Sequence, residues 1–196
     1  MIPLDLLHSH PVARTRDLER AGLSRVALQR LLHRGVVTRL RRGVYARSGE
    51  AEITEHHDLA LVASRVTHGV ICLLSALRFH QLGTQSPAEV WVAIDPKARK
   101  PRSDVPPTKF VRFSGRALTA GIDSHLIEGV TVPITSPART VADCFKYRNK
   151  IGIDVAVEAI RRYREKVRRL PVNKLLEYAR IDRVERVMRP YLEALL

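Results

Sequence analysis

The chain has 196 residues, enough for one ordinary domain with a small one beside it. Its 34 Lys and Arg against 20 Asp and Glu leave a formal net charge of +14, which suits a nucleic acid or an acidic partner better than a neutral metabolite. No apolar run approaches the roughly 20 residues that cross a bilayer. Residues 1–7 also lack the basic start and cleavage site of a secretory signal, so we expect a cytoplasmic protein with no membrane partner.

The charge is uneven. Residues 1–50 carry ten Arg against four acids, residues 51–140 ten bases against eight acids, and residues 141–196 fourteen bases against eight acids. Two basic ends therefore flank a nearly neutral middle. Cys72 and Cys144 sit among apolar neighbours, which predicts buried reduced thiols rather than a disulfide.

From the N-terminus, Thr15 is placed to cap a first helix whose early turn holds Asp17 and Glu19, and Gly22 is placed as its C′ residue. Ser24 caps a second helix that reaches Arg34. On a 100° wheel Ala27, Leu28, Leu31 and Leu32 gather on one side, opposite Val26, Gln29, Arg30 and His33, with Arg25 at the edge. Residues 36–46 then read as two strands around a turn permitted by Gly43, with Arg39, Arg41 and Arg42 at its tip. Helix, turn, helix and basic hairpin in this order describe a winged helix-turn-helix. Its second helix offers the major groove Arg25, Val26, Gln29, Arg30, His33 and Arg34, and its wing offers phosphates Arg39, Arg41 and Arg42.

Residues 47–50 form a short polar joint, which predicts a DNA-binding domain over 1–47 and a second domain over 48–196. In that second domain Thr54 caps a helix through Val66 with Leu59, Val62, Ala63 and Val66 inward. Residues 70–74 are a buried strand or a helix start, and residues 75–82 a short helix closed by Gly83. Strands are expected at 90–94, 109–113 and 130–134, with a Pro-rich basic loop over 97–107. After Ser136 as N-cap and Pro137 at N1, helices are expected over 137–145, 153–169 and 172–181, and a last one from Val184 with Pro190 close to its end. The fold class is α+β: a winged helix followed by a mixed α/β domain whose C-terminal third is mostly helical.

Few residues in this second domain suggest chemistry. Asp95-Pro-Lys97 after the 90–94 strand is half of a metal-nuclease signature, without the upstream Asp. His8, His10, His56 and His57 lack a Cys or acid cluster to complete a metal site, and Ser136 with Asp143 lacks a partner His. We therefore expect no catalytic residue, no metal and no cofactor. Arg139 and Asp143, four apart on one helix face, are either a buried ion pair or part of a partner-facing surface. Arg161, Arg162, Arg168 and Arg169 face away from Ile160, Tyr163 and Val167, as a solvated helix or as a second basic surface toward DNA flanks or RNA.

The N-terminal winged helix, then Cys72-Leu-Leu-Ser-Ala-Leu77, Glu89-Val-Trp-Val-Ala-Ile94 and Ile134-Thr-Ser-Pro-Ala-Arg-Thr-Val-Ala-Asp-Cys-Phe145, resemble the AbiEi antitoxins of type IV toxin–antitoxin systems. Gly152-Ile-Asp-Val-Ala-Val-Glu-Ala-Ile160 and Arg189-Pro-Tyr-Leu-Glu193 extend the resemblance over essentially the whole chain. The resemblance implies a non-enzymatic protein whose winged helix binds inverted repeats of operator DNA and represses its own operon. It further implies that the second domain neutralises a cognate AbiEii-like toxin, itself similar to nucleotidyltransferases, without needing a stable complex. On that reading Arg139, Asp143, Arg161, Arg162, Arg168 and Arg169 form the antitoxin surface. The alternatives are a winged-helix regulator with a ligand-sensing or dimerising C-terminal domain, and a nucleic-acid-processing nuclease.

Overall fold

A computed structural model describes residues 12–34, 36–47, 54–100 and 106–195. The chain forms two compact units, residues 1–60 with 126–131 and residues 61–125 with 132–196. In the first, β1 (Val12–Arg14) leads into α1 (Thr15–Arg20), α2 (Arg25–His33), β2 (Val37–Arg41) and β3 (Val44–Arg47). β3 lies between β1 and β2, antiparallel to both, so the expected two-stranded wing is a three-stranded sheet. Its small core joins Ala13, Leu18, Leu23, Leu28, Val37 and Tyr45, with Ala27, Leu31 and Leu32 packed alongside.

Local chemistry explains the turns here. Gly22 takes φ +89, its N–H reaches Glu19 O at 3.0 Å, and Leu23 N–H reaches Leu18 O at 2.8 Å. That pair of bonds is a Schellman end, closed by two buried leucines. Thr15 is the first helical residue rather than the cap; Arg14 occupies that position without a side-chain bond. Thr15 N–H instead donates to Gly43 O at 2.9 Å, tying the start of α1 to the wing turn.

Farther along come α3 (His57–Arg65), β4 (Val70–Ile71), α4 (Leu73–His80), β5 (Val90–Ile94), β6 (Thr108–Arg112) and α5 (Arg116–Thr119). β7 (Ile122–Ile127), β8 (Val130–Thr135), α6 (Pro137–Ile151), α7 (Ile153–Lys166), α8 (Val172–Ile181) and α9 (Glu185–Glu193) complete the chain. The strands form one mixed sheet in the order β6-β5-β4-β8-β7, with β5 antiparallel to β4, and β6 and β8 parallel to β5 and β4 respectively. α6 is the central helix, packed by α4, α7, α8 and α9. Its apolar face, Val141, Ala142, Cys144 and Phe145, is fully buried. Both cysteines are free, buried thiols, and burial pushes their pKa values up.

Several boundaries differ from expectation, each for a physical reason. Thr54 does not cap α3 at its first residue. Its hydroxyl accepts from His56 N–H at 3.3 Å one turn earlier, and the helix begins at His57. α4 is closed by Gln81 in the left-handed region, not by Gly83. α6 runs past Phe145 to Ile151 because its polar continuation keeps one side against the core, and Gly152 at φ +97 ends it. Ser136 stands at the N-cap without a side-chain bond, with Pro137 at N1 as expected. α7 stops at Lys166, and Val167 is extended, so Arg168 and Arg169 lie beyond the helix.

Candidate nucleic-acid interface

α2 is a short helix, capped at its start and anchored by its inner face. Ser24 Oγ accepts from Ala27 N–H at 3.2 Å, and Leu28, 3% exposed, anchors the helix in the core. With that side fixed inward, Arg25, Val26, Gln29, Arg30, His33 and Arg34 lie on the open side, most of them well exposed. Val26 is 61% exposed, an apolar side chain on an otherwise polar face. Such a methyl pair is suited to the thymine methyl group, as Arg is to guanine and Gln to adenine. Arg25 Nε donates to Glu19 Oε1 at 2.7 Å, a salt bridge from the end of α1 to the start of α2. The carboxylate orients Arg25 and raises its pKa, so the guanidinium is held in place ahead of any phosphate.

On the wing, Arg39 in β2 and Arg42 in the turn are exposed, while the Arg41 side chain lies outside the described residues. Pairing shifts register between Arg39 and Arg41, and Gly43 at φ +80 turns the chain.

The remaining expected site residues separate into two groups. Arg139 and Asp143 are both fully buried and therefore cannot belong to an antitoxin surface. Arg139 Nη2 lies 2.6 Å from Asp143 Oδ1 and 3.0 Å from Asp182 Oδ1, and it also donates to Ala117 O at 3.2 Å. The rings of Phe113 and Tyr178 lie 5.8 Å from the guanidinium carbon. Two carboxylates facing one cation cannot both stay ionised cheaply in a dry core. Burial, aided by Asp182 and opposed by Arg139, pushes the Asp143 carboxyl well above its usual range. Asp143 Oδ2 and Asp182 Oδ2 have no other hydrogen-bond partner, so a proton held by Asp143 supplies the donor that the pair lacks. Asp182, 43 residues from Arg139, carried no local signal in the sequence.

Arg161, Arg162, Arg168 and Arg169, by contrast, are exposed. Arg162 is answered by Glu158 at 3.9 Å and Glu165 at 3.5 Å.

The hints of chemistry also resolve. Asp95 Oδ1 accepts from Lys97 N–H at 2.8 Å, so this carboxylate caps a turn. His57 Nδ1 sits 2.6 Å from Glu128 Oε2, whose other oxygen accepts from Thr54, a tie between the start of α3 and the β7–β8 turn that the sequence did not suggest. His8 and His10 lie outside the described residues. Among the described residues no three His, Cys, Asp or Glu cluster as metal ligands, and no helix is long and apolar enough to cross a membrane. A cavity of about 580 Å³ opens between the α5, α6 and α8 segments. Most of its cations are already engaged: Arg116 with Glu177, Arg180 with Glu185, Lys146 with Asp182 O, and Arg112 with the carbonyls of Asp95 and Ala98.

Residues 1–48 match the family model described as "Transcriptional regulator, AbiEi antitoxin". The match covers the winged-helix segment of the resemblance; the motifs between Cys72 and Glu193 lie outside it. The fold is similar to the crystal structure of the RV2827C protein from Mycobacterium tuberculosis. That match has a TM-score of 0.52 and 17% identity, over 97% of this chain and 79% of that one. No curated protein matches the sequence.

Proposed function

We propose that the chain is an autorepressing antitoxin: a winged-helix part over 1–47 that binds inverted repeats of operator DNA, and a part over 48–196 that neutralises a nucleotidyltransferase-like toxin. The observation that carries the DNA-binding half is the exposed face of α2, with Val26, Gln29 and Arg30 presented on a helix whose opposite side is fixed in a core. The family match over residues 1–48 supports the same half. The toxin-directed half rests on the resemblance of the motifs between Cys72 and Glu193. Arg161 and Arg162, exposed on α7, are its candidate residues; Arg162 also pairs with Glu158 and Glu165 on the same helix.

The test separates the halves in the full-length protein. A promoter reporter should be derepressed by Arg30→Ala, while growth rescue on co-expression with the adjacent gene is retained. Arg161→Glu with Arg162→Glu should weaken rescue and leave repression intact. Loss of both activities in each variant would contradict two separable functions. The 580 Å³ cavity favours a ligand-sensing regulator as the second reading. Under that reading the adjacent gene would not be toxic.

A further inference from the structure

The cavity of about 580 Å³ has the volume of a small-molecule site, and three separate parts of the fold wall it. The chain at the end of β6 contributes Arg112 and Phe113, α6 contributes Lys146 and Tyr147, and the end of α8 contributes Ile181 and Arg183. Its cations differ in what answers them. Arg116 and Arg180 face the carboxylates of Glu177 and Glu185, so their charges are offset locally. Arg112 donates instead to the carbonyls of Asp95 and Ala98 at 2.6 and 2.7 Å, and Lys146 to that of Asp182 at 3.0 Å. A neutral carbonyl satisfies a donor and holds the side chain in place, but it cancels no charge. Among the described residues the Arg183 side chain makes no ion pair or hydrogen bond. Of the two acids in the lining, Glu177 pairs with Arg116 and the Asp182 carboxylate is turned onto Arg139. Arg112, Lys146 and Arg183 therefore border one volume with no carboxylate to offset them. An anion supplies what is missing.

The lining also carries an apolar wall. The rings of Phe113 and Tyr147 lie 5.7 Å apart, with Ile181 in the same lining. Burial pushes the Tyr147 phenol up to about 12, so this wall stays neutral beside an anion. A bare inorganic ion would leave the half-buried Tyr147 ring in water, whereas an organic group attached to the anion covers it. A compact anion that answers several cations at once carries close to two charges and three acceptor oxygens, as the terminal phosphate of a monoester does. A phosphodiester carries one charge per phosphate, spread along a backbone, and answers a single cavity less well. We propose that this cavity binds a small organic phosphomonoester, with its phosphate held by Arg112, Lys146 and Arg183 and its organic group against Phe113 and Tyr147. The proposal concerns the cavity alone and does not depend on the antitoxin reading; to the ligand-sensing reading it gives a ligand class.

The test is calorimetric titration of the full-length protein, without DNA, with phenyl phosphate, inorganic phosphate, benzenesulfonate and phenol. Phenyl phosphate should bind at a single site. It should bind more tightly than inorganic phosphate, which lacks the ring, and than benzenesulfonate, which carries one charge; phenol should not bind. Arg183→Gln should weaken phenyl phosphate by about tenfold, the weight of one charge-assisted hydrogen bond, and Arg183→Lys by less. Glutamine already holds a left-handed helix end at residue 81, so Arg183→Gln should melt as wild type does without ligand. Arg65→Gln removes an exposed cation at the end of α3, outside the cavity, and should bind as wild type. No binding of phenyl phosphate, equal affinity for inorganic phosphate or benzenesulfonate, or equal weakening in Arg65→Gln overturns the proposal. Repression and growth rescue are read with DNA and the adjacent gene, so either can hold or fail whatever the titration gives.

Discussion

Arg139 shows what a fully buried charge demands. Removing one partner of such a group leaves the other uncompensated, which is worth about 3–5 kcal/mol. Arg139→Met should therefore lower stability by about that amount in urea unfolding, far more than any exposed Arg on α7. Asp143 sets a pH dependence. Its folded pKa is raised above the unfolded value near 3.9, so its contribution is fully present below that value and is lost as pH rises through the folded pKa. Asp143→Asn keeps the neutral, donating form at every pH. The stability of wild type relative to Asp143→Asn should fall as pH rises above the unfolded value. A pH-independent difference would show that Asp143 is ionised in the fold. The Arg139–Asp143 spacing was legible because i,i+4 is a property of one helix. Asp182 was not, because only tertiary packing brings it there.

Helix ends account for most of what the sequence concealed at the next scale. Among the described residues, three helices close in the same way. Leu23, Leu82 and Val184 each donate to the carbonyl five residues back while the preceding residue takes a positive φ. Only one of those preceding residues is glycine. Gln81 and Arg183 hold the other two, stabilised by the buried pairs Leu77–Leu82 and Ala179–Val184 rather than by backbone freedom. A glycine-based rule therefore finds Gly22 and misplaces the end of α4. β7 was hidden because the polar run Asp123-Ser124-His125 interrupts its apolar residues, yet Glu128-Gly129 at φ +50 and +73 is the two-residue turn such a hairpin needs. Gly121 is the most constrained glycine of this region. Its φ is +64, and an added Cβ would lie 2.7 Å from the Tyr178 ring. Gly115 has a positive φ in open space. Gly121→Ala should cost about 1–3 kcal/mol more than Gly115→Ala, since only the former adds overpacking to backbone strain. Equal denaturation midpoints for the two variants would contradict the clash.

For the whole molecule, the charge distribution was the most transferable sequence signal, because it needs no knowledge of folding. The open side of α2 followed from helical periodicity alone, and its six expected residues all avoid the core. The C-terminal basic residues could not be sorted that way. Their roles depend on where α7 ends and on which cations find carboxylates, both of which are tertiary facts. If α2 is the reader, its contribution is specific to the sequence bound. Fluorescence anisotropy of the full-length chain and its Arg30→Ala variant, on its own promoter duplex and on a scrambled duplex at fixed salt, tests whether α2 reads sequence. Arg30→Ala should lose about 1–3 kcal/mol on the promoter and much less on the scrambled DNA. Equal losses on the two duplexes would contradict a sequence-reading α2.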